Sequence, residues 1–365
     1  MSNKIKVAIT QGDINGIGYE VILKSLEDNR ILELCTPIIY GSAKIAAFYR
    51  KLLEMQPIQL HQIQSPADAR EDAINIINVI GEDVKVEPGV PTEAAGRAAF
   101  AALERAVADI NEGLVDVLVT APINKHTIQS ETFRFPGHTE YLEASAGENQ
   151  HAMMLMCANG PLTMRVALVT AHVPIDKVAP LVTTDTVLAK IKELNRSLHR
   201  DFAVNAPRIA VLSLDPHGGE NGLLGSTEND AIIPAIKAAQ EKKILAFGPY
   251  PADGFFGSDN FTKFDGILAM YHDQGLTPFK TIAMENGVNF TAGLPFVRTS
   301  PDHGTAYDIV GKNLANHESM LQAIYMALDI YRARIVDDEA HANPLRRQYY
   351  EKGPDNVVLD LTKDE

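Results

Sequence analysis

Three histidines in this chain each come shortly after an apolar run with the character of a β-strand. Arg165-Val-Ala-Leu-Val-Thr leads to His172, Arg208-Ile-Ala-Val-Leu-Ser leads to His217, and Phe264-Asp-Gly-Ile-Leu-Ala leads to His272. Parallel strands set their carboxyl ends, and the residues just beyond them, along one edge of a sheet, and that edge is where α/β proteins bind ligands. Imidazoles far apart in sequence meet there if the three runs pair side by side. Three neutral imidazoles with an open coordination position suit a divalent metal, zinc first, with magnesium, cobalt or manganese as alternatives. The competing reading is that histidines simply occur after strands, and spacing alone leaves both open.

The elements that must position these histidines are legible in the apolar pattern. Strands are expected at 7–10, 36–40, 74–79 and 115–120, besides the three runs above. Helices are expected at 17–26, 43–55, 93–111, 139–146, 184–198, 228–241 and 318–334. In the third of these, Ala95, Ala99, Leu103 and Val107 keep the helical period. Alternating strands and helices imply parallel pairing and a layered α/β fold. The segment 82–92 reads as a surface loop, and 337–365 as a polar, charged tail that is ordered in part at best.

Bulk composition narrows the function. At 365 residues the chain exceeds the size at which one core keeps growing, so two domains are expected. Its 45% apolar and 22% charged content is that of a globular protein. A net charge of −14 argues against nucleic acid, which requires a basic face, and reads as a solubility feature. Cys35 and Cys157 stand apart in apolar contexts and read as reduced core residues of a cytosolic protein. The first residues lack the apolar segment of a signal peptide. No stretch approaches the ~20 apolar residues needed to span a bilayer. A soluble, cytoplasmic protein with no membrane partner is expected.

Between the first strand and helix lies Gln11-Gly12-Asp13-Ile14-Asn15-Gly16-Ile17-Gly18-Tyr19-Glu20. Glycines there let backbone approach a ligand, and a helix N-terminus favours an anion. The spacing is not the dinucleotide fingerprint, and a plain glycine-rich turn is the alternative. The motif resembles the opening of the 4-hydroxythreonine-4-phosphate dehydrogenase family of pyridoxal phosphate biosynthesis. So do Ala121-Pro-Ile-Asn-Lys125, Phe135-Pro-Gly-His-Thr-Glu-Tyr-Leu142, Pro216-His-Gly-Gly-Glu220 and Tyr271-His-Asp-Gln-Gly275. Asn289-Phe-Thr-Ala-Gly-Leu-Pro295 and Arg298-Thr-Ser-Pro-Asp-His-Gly-Thr-Ala306 complete the set in the family's order. Departures are Ile14 and Tyr19 where the family pattern has proline, Asp215 where it has asparagine, and longer segments at 195–207 and in the tail.

The resemblance implies two α/β/α domains with a largely parallel mixed sheet, like isocitrate and isopropylmalate dehydrogenases, and an active site in the cleft between them. It puts 1–130 with 280–365 in a domain carrying the cofactor loop, and 131–279 in a metal-binding and dimerisation domain. It implies NAD- or NADP-dependent, metal-dependent oxidation of 4-phosphooxy-L-threonine to a β-keto acid, which decarboxylates to 3-amino-2-oxopropyl phosphate. The family's metal ligands fall on His172, His217 and His272. Its substrate contacts fall on His138, Thr139, Lys280, Asn289 and Arg298, a set that suits phosphate and carboxylate. A helix cap at Thr139 is compatible with that role, and Lys280 by itself would read as a surface lysine.

The stretch 303–316 is similar to the adenosine-binding loop of isopropylmalate dehydrogenases. It gives His303, Gly304, Thr305, Ala306, Asp308 and Asn316 as the nicotinamide cofactor site, although Gly304 and Thr305 could instead cap the next helix. Metal coordination lowers an alcohol's pKa, so Asp253 or Asp273 is expected to take the proton or to orient a histidine ligand. A homodimer with shared sites is implied, with the residue matching His272 donated by the neighbouring subunit. Other readings are a sister dehydrogenase acting on 4-phospho-threonate or 4-phospho-erythronate, and a non-catalytic metal-dependent binding protein. A three-histidine hydrolase would leave the 303–316 loop without a purpose.

Overall fold

The apolar runs become strands because helices cover them on both faces. In β1 (Ile5–Thr10), Val7 and Ile9 join one core cluster while Ala8 joins another on the opposite face. In this computed structural model, residues 4–81, 83–147, 152–158, 162–283 and 285–343 are described. They hold eleven further strands. These are β2 (Cys35–Gly41), β3 (Leu60–Ile63), β4 (Ile74–Asn78), β5 (Val117–Thr120), β6 (Met153–Ala158) and β7 (Met164–Leu168), then β8 (Arg208–Leu212), β9 (Leu245–Tyr250), β10 (Gly266–Ala269), β11 (Val288–Ala292) and β12 (Val297–Pro301). The helices are α1 (Gly18–Ser25), α2 (Ile31–Leu34), α3 (Ala43–Leu52), α4 (Glu93–Asn111), α5 (His138–Ser145) and α6 (Ile175–Leu181). They continue with α7 (Thr184–Arg200), α8 (Ile233–Glu241), α9 (Ala252–Phe256), α10 (His272–Ala283) and α11 (Glu318–Ala342).

All twelve strands form one mixed sheet in the order β3-β4-β2-β1-β5-β12-β11-β6-β7-β10-β8-β9. From β3 to β12 every pairing is parallel, as it is again from β7 to β9. The three pairings between, β12 with β11, β11 with β6 and β6 with β7, are antiparallel. Three reversals leave the two parallel blocks running in opposite directions. The histidine-bearing strands β7, β10 and β8 are adjacent and parallel, so their carboxyl ends share one edge.

One face of the sheet carries a continuous core. Val117 and Val119 of the first block share a cluster with Ile209, Val211 and Leu268 of the second, under residues of α1, α7, α8 and α11. The other face is divided. Ala8, Ile38 and Leu118 pack under α4 and Leu142 of α5, whereas Val166, Ala210 and Ile267 pack under α9 and α10. The polar side chains of the candidate site lie on this divided face.

Several expectations are corrected. The 139–146 helix begins one residue earlier, at His138, with Gly137 before it and no side-chain cap, so Thr139 is not a helix cap. A π-helical turn, Glu228–Ile232, replaces the start of the 228–241 helix. The last helix runs to Ala342, so 337–342 are helical, not tail. Acidic residues there are held by the end of α7, since Arg200 Nη2 donates to Asp338 Oδ1 at 2.9 Å. Residues 344–365, the rest of that tail, lie outside the described residues.

Candidate functional site

Strand register brings the first group together. Arg298 on β12 pairs with Leu118 of β5, which puts Thr120, two residues on, along the same face. On the other side, Phe290 of β11 pairs with Thr299, which sets Thr291 opposite Arg298. Arg298 is only 2% exposed, and among the described residues no carboxylate bonds to it. Its Nε and Nη2 donate to Thr120 Oγ1 at 3.2 and 2.6 Å, and its Nη1 donates to Thr291 Oγ1 at 3.0 Å. Burial pushes the guanidinium pKa down to about 10, with Glu140 acting weakly against that shift.

A cavity of about 290 Å³ opens over this arginine, and all five expected substrate residues, His138, Thr139, Lys280, Asn289 and Arg298, line it. Lys125, Glu140, His172, Asp302, His303 and Gly304 line it too. Three buried polar atoms of its wall have no partner among the described residues: His138 Nε2, Asn289 Oδ1 and His303 Nε2. Unpaired buried polar atoms are costly and require an explanation, and a polar ligand supplies one. Burial, with Arg298 and Lys125 nearby, holds the His138 pKa well below the usual histidine value. Burial lowers His303 as well. Lys280 is ion-paired with Asp302 at 3.0 Å, and so is tied to the cavity wall.

The metal candidates are arranged differently. His172 follows β7 and His272 opens α10, and their ring centroids lie 6.0 Å apart. His272 Nδ1 meets Asp273 Oδ1 at 2.7 Å, and His172 Nδ1 lies 3.9 Å from Glu140 Oε1. A carboxylate beside one ring nitrogen leaves the other for a metal, which is how ligating histidines are commonly held. On donor chemistry these two residues fit a divalent cation. His217 instead lines a second cavity of about 670 Å³, together with Asp253 and Asp273. Among the described residues of one chain, no three histidine, cysteine, aspartate or glutamate side chains stand together as a ligand set.

His217 sits in an unusual turn. It and the five residues to Gly222 all have positive φ, a left-handed run in which three positions are glycine. A β-carbon at Gly219 would lie 2.7 Å from Glu228 Oε2, so this position requires glycine for space as well as conformation. Glu228, itself buried, anchors the root of the turn by accepting from the Leu214 and Asp215 amides at 2.7 and 2.8 Å.

The 303–316 segment packs on the glycine motif of the first strand. Ile17 N donates to Thr305 O at 3.0 Å, and Tyr307 Oη donates to Asp13 Oδ2 at 2.7 Å. His303 and Gly304 reach the smaller cavity, whereas Thr305, Ala306, Asp308 and Asn316 do not line it. Gly304 and Thr305 cap nothing: the short helix Tyr307–Ile309 comes after Ala306, which is left-handed and makes no side-chain cap. Asn316 Oδ1 accepts from Glu318 N at 2.9 Å, at the start of α11.

A family model described as pyridoxal phosphate biosynthetic protein PdxA matches residues 33–327. A 4-hydroxythreonine-4-phosphate dehydrogenase of Bacteroides thetaiotaomicron is 56% identical over 364 residues, spanning 100% of this chain and 99% of that relative. The chain belongs to this family. A D-threonate 4-phosphate dehydrogenase of Cupriavidus necator is 38% identical, across 90% of this chain and 98% of its own. The crystal structure of 4-hydroxythreonine-4-phosphate dehydrogenase from Klebsiella pneumoniae superposes with a TM-score of 0.78 at 34% identity, covering 90% of this chain and 98% of that one.

Three of the departures from the family pattern have a structural setting. Tyr19 is fully buried; its hydroxyl donates to Gln11 Oε1 at 2.6 Å and accepts from Ser42 N at 2.7 Å, tying the glycine motif to the end of β2. Asp215 has the Glu228 carboxylate beside it, and burial and that charge raise its pKa. The 195–207 segment supplies Asp201, buried and bonded to Arg334 of α11 at 2.7 Å. Sequence reasoning did not find Thr120, Thr291, Lys125 or Glu140. Lys125, Glu140 and Thr291 lay inside recognised motifs, but without the strand register nothing singles out Thr291 or Thr120.

Proposed function

We propose that this chain oxidises the secondary alcohol of a small phosphorylated acid, 4-phosphooxy-L-threonine first, with NAD or NADP as hydride acceptor. The observation that carries the reading is Arg298, a buried cation that no carboxylate of the described residues bonds, facing a cavity with three polar atoms unpartnered among them. Arg298, Lys280 and Lys125 provide the charge for a phosphate and a carboxylate. Asn289 and His138 orient the bound molecule through one hydrogen bond each. His172, His217 and His272 would hold a divalent metal, zinc first, which supplies Lewis-acid polarisation of the alcohol. Asp253 or Asp273 accepts the hydroxyl proton as the hydride leaves. Carbon dioxide is then lost from the β-keto acid, and 3-amino-2-oxopropyl phosphate remains.

The site is read as shared across a homodimer. Substrate cations line one cavity while His217, Asp253 and Asp273 line the other, and a two-fold partner would bring complementary halves together. The 1–130 with 280–365 and 131–279 division is proposed on the same ground, since strands from the two parts occupy opposite sides of the sheet order. Residues 303–316 are proposed for the nicotinamide cofactor. The relative named for D-threonate 4-phosphate supports a second substrate reading, a sister enzyme for 4-phospho-threonate. Steady-state rates with 4-phosphooxy-threonine, 4-phospho-threonate and 4-phospho-erythronate, each with NAD and NADP, test both. Turnover of none of the three would end the dehydrogenase reading.

A further inference from the structure

The three hydrogen bonds of Arg298 are distributed in a way that its burial alone does not require. A guanidinium has five N–H donors. Thr120 Oγ1 takes two of them and Thr291 Oγ1 takes one, which leaves one N–H on each terminal nitrogen. Both threonines are fully buried and come from the strands on either side of β12. Each hydroxyl therefore fixes one side of the guanidinium plane, and Arg298 faces the cavity that also holds Asn289 and His138. Valine at either position would have the same shape and no acceptor. A carboxylate in their place would neutralise the arginine and compete with an anionic ligand.

We propose that Thr120 and Thr291 are positioning residues that aim the Arg298 fork at an oxyanion group of the substrate, holding it without cancelling its charge. The proposal rests on the reading of the smaller cavity as the substrate site. Two neighbouring N–H groups suit two oxygens of a phosphate or of a carboxylate equally well. Preorganisation of this kind raises affinity because the side chain need not be ordered during binding.

The test uses the full-length protein with Thr120→Val, Thr120→Ser, Thr291→Val and Arg298→Met, and Thr120→Val combined with Arg298→Met. Binding of inorganic phosphate and of malonate is followed by calorimetry, which needs no turnover and so stands apart from the dehydrogenase reading. Substrate KM and NAD KM are measured in parallel. Thr120→Val is expected to weaken one of the two anions and raise substrate KM by about tenfold, the effect of one hydrogen bond to a charged group. NAD KM stays unchanged, and Thr120→Ser recovers to within about twofold because it keeps the hydroxyl. Loss of phosphate binding assigns the fork to the phosphate, and loss of malonate binding assigns it to the carboxylate. In the Arg298→Met background, Thr120→Val should add nothing. If Thr120→Val fails to fold, Thr291→Val carries the same test on the other nitrogen. The proposal is overturned if the valine variants bind both anions like the parent, if Thr120→Ser is as weak as Thr120→Val, or if the effect persists without Arg298.

Discussion

Replacing Arg298 with methionine should separate binding from stability, with the two moving in opposite directions. The folded state holds this guanidinium in a site that lowers its pKa by roughly two units, to about 10. At about 1.4 kcal/mol per pH unit, that is a penalty of ~3 kcal/mol for keeping the charge buried. Methionine removes the penalty, roughly fills the space and leaves two threonine hydroxyls without their donors, at about 0.5–1.5 kcal/mol each. The net is a fold as stable as the parent or more stable by ~1–2 kcal/mol. With an unfolding entropy of about 2.1 cal/mol/K per residue, this is a rise of roughly 1–3 °C in Tm. The penalty is present in full below about pH 10 and relaxes only above it, so the gain should be constant between pH 7 and 9. Over the same range kcat/KM for the phosphorylated substrate should fall about ten- to several-hundred-fold. Calorimetric melting beside steady-state kinetics provides both numbers. A variant less stable by several kcal/mol would show that Arg298 is a structural keystone and that its burial says nothing about a ligand.

Three further outcomes concern other parts of the molecule. Asp201→Ala leaves Arg334, only 7% exposed, without its carboxylate, and should lower stability by about 3–5 kcal/mol, or roughly 4–6 °C in Tm; a loss below ~1 kcal/mol in calorimetry refutes the buried-pair reading. His138 has a folded pKa below its ordinary 6.5, so as pH falls through 6.5 the unfolded chain gains a proton that the folded chain does not, and stability is lost. His138→Gln should therefore flatten the decline in urea resistance between pH 7.5 and 5, and an unchanged slope refutes it. Mixing Arg298→Met with Asp253→Ala protein should restore about a quarter of parent activity if sites are shared between two-fold partners; no recovery after subunit exchange argues that each chain works alone.

The inner strands of the two parallel blocks were legible because they are buried on both faces, whereas the edge strands β3 and β9, partly exposed, were not. Continuous apolar runs such as Val117–Thr120 and the alanine-rich period of Glu93–Asn111 leave few alternatives. The middle was not. β11 and β12 carry polar residues, Asn289, Thr291 and Arg298, that line the cavity or hold its arginine, and these break the apolar pattern by which strands are recognised; β6 (Met153–Ala158) is apolar throughout and was passed over. The histidines after β7, β8 and β10 could be placed at one edge from their strands alone. Where His217 points could not, since that depends on a left-handed turn anchored by Glu228, a residue expected only to begin a helix. The C-terminal helix was read short because its acidic end looked like tail; Arg200 pairs with that end from a distant part of the chain.

The place of β11 and β12 in the sheet bears on how the chain is made. They stand between β5 and β6, yet they are synthesised after every other described strand. A nascent chain that has emerged to residue 280 holds both blocks with nothing to join them, and β5 and β6 each offer an unpaired edge. Exposed edges of this kind invite pairing with other chains. The sheet can close only once β11 and β12 have left the ribosome, and Arg298 arrives with them. A chain that stalls or ends before β11 would lack the arginine and also the strands that join its two halves, so truncated products should be recovered as aggregates and not as an inactive folded protein.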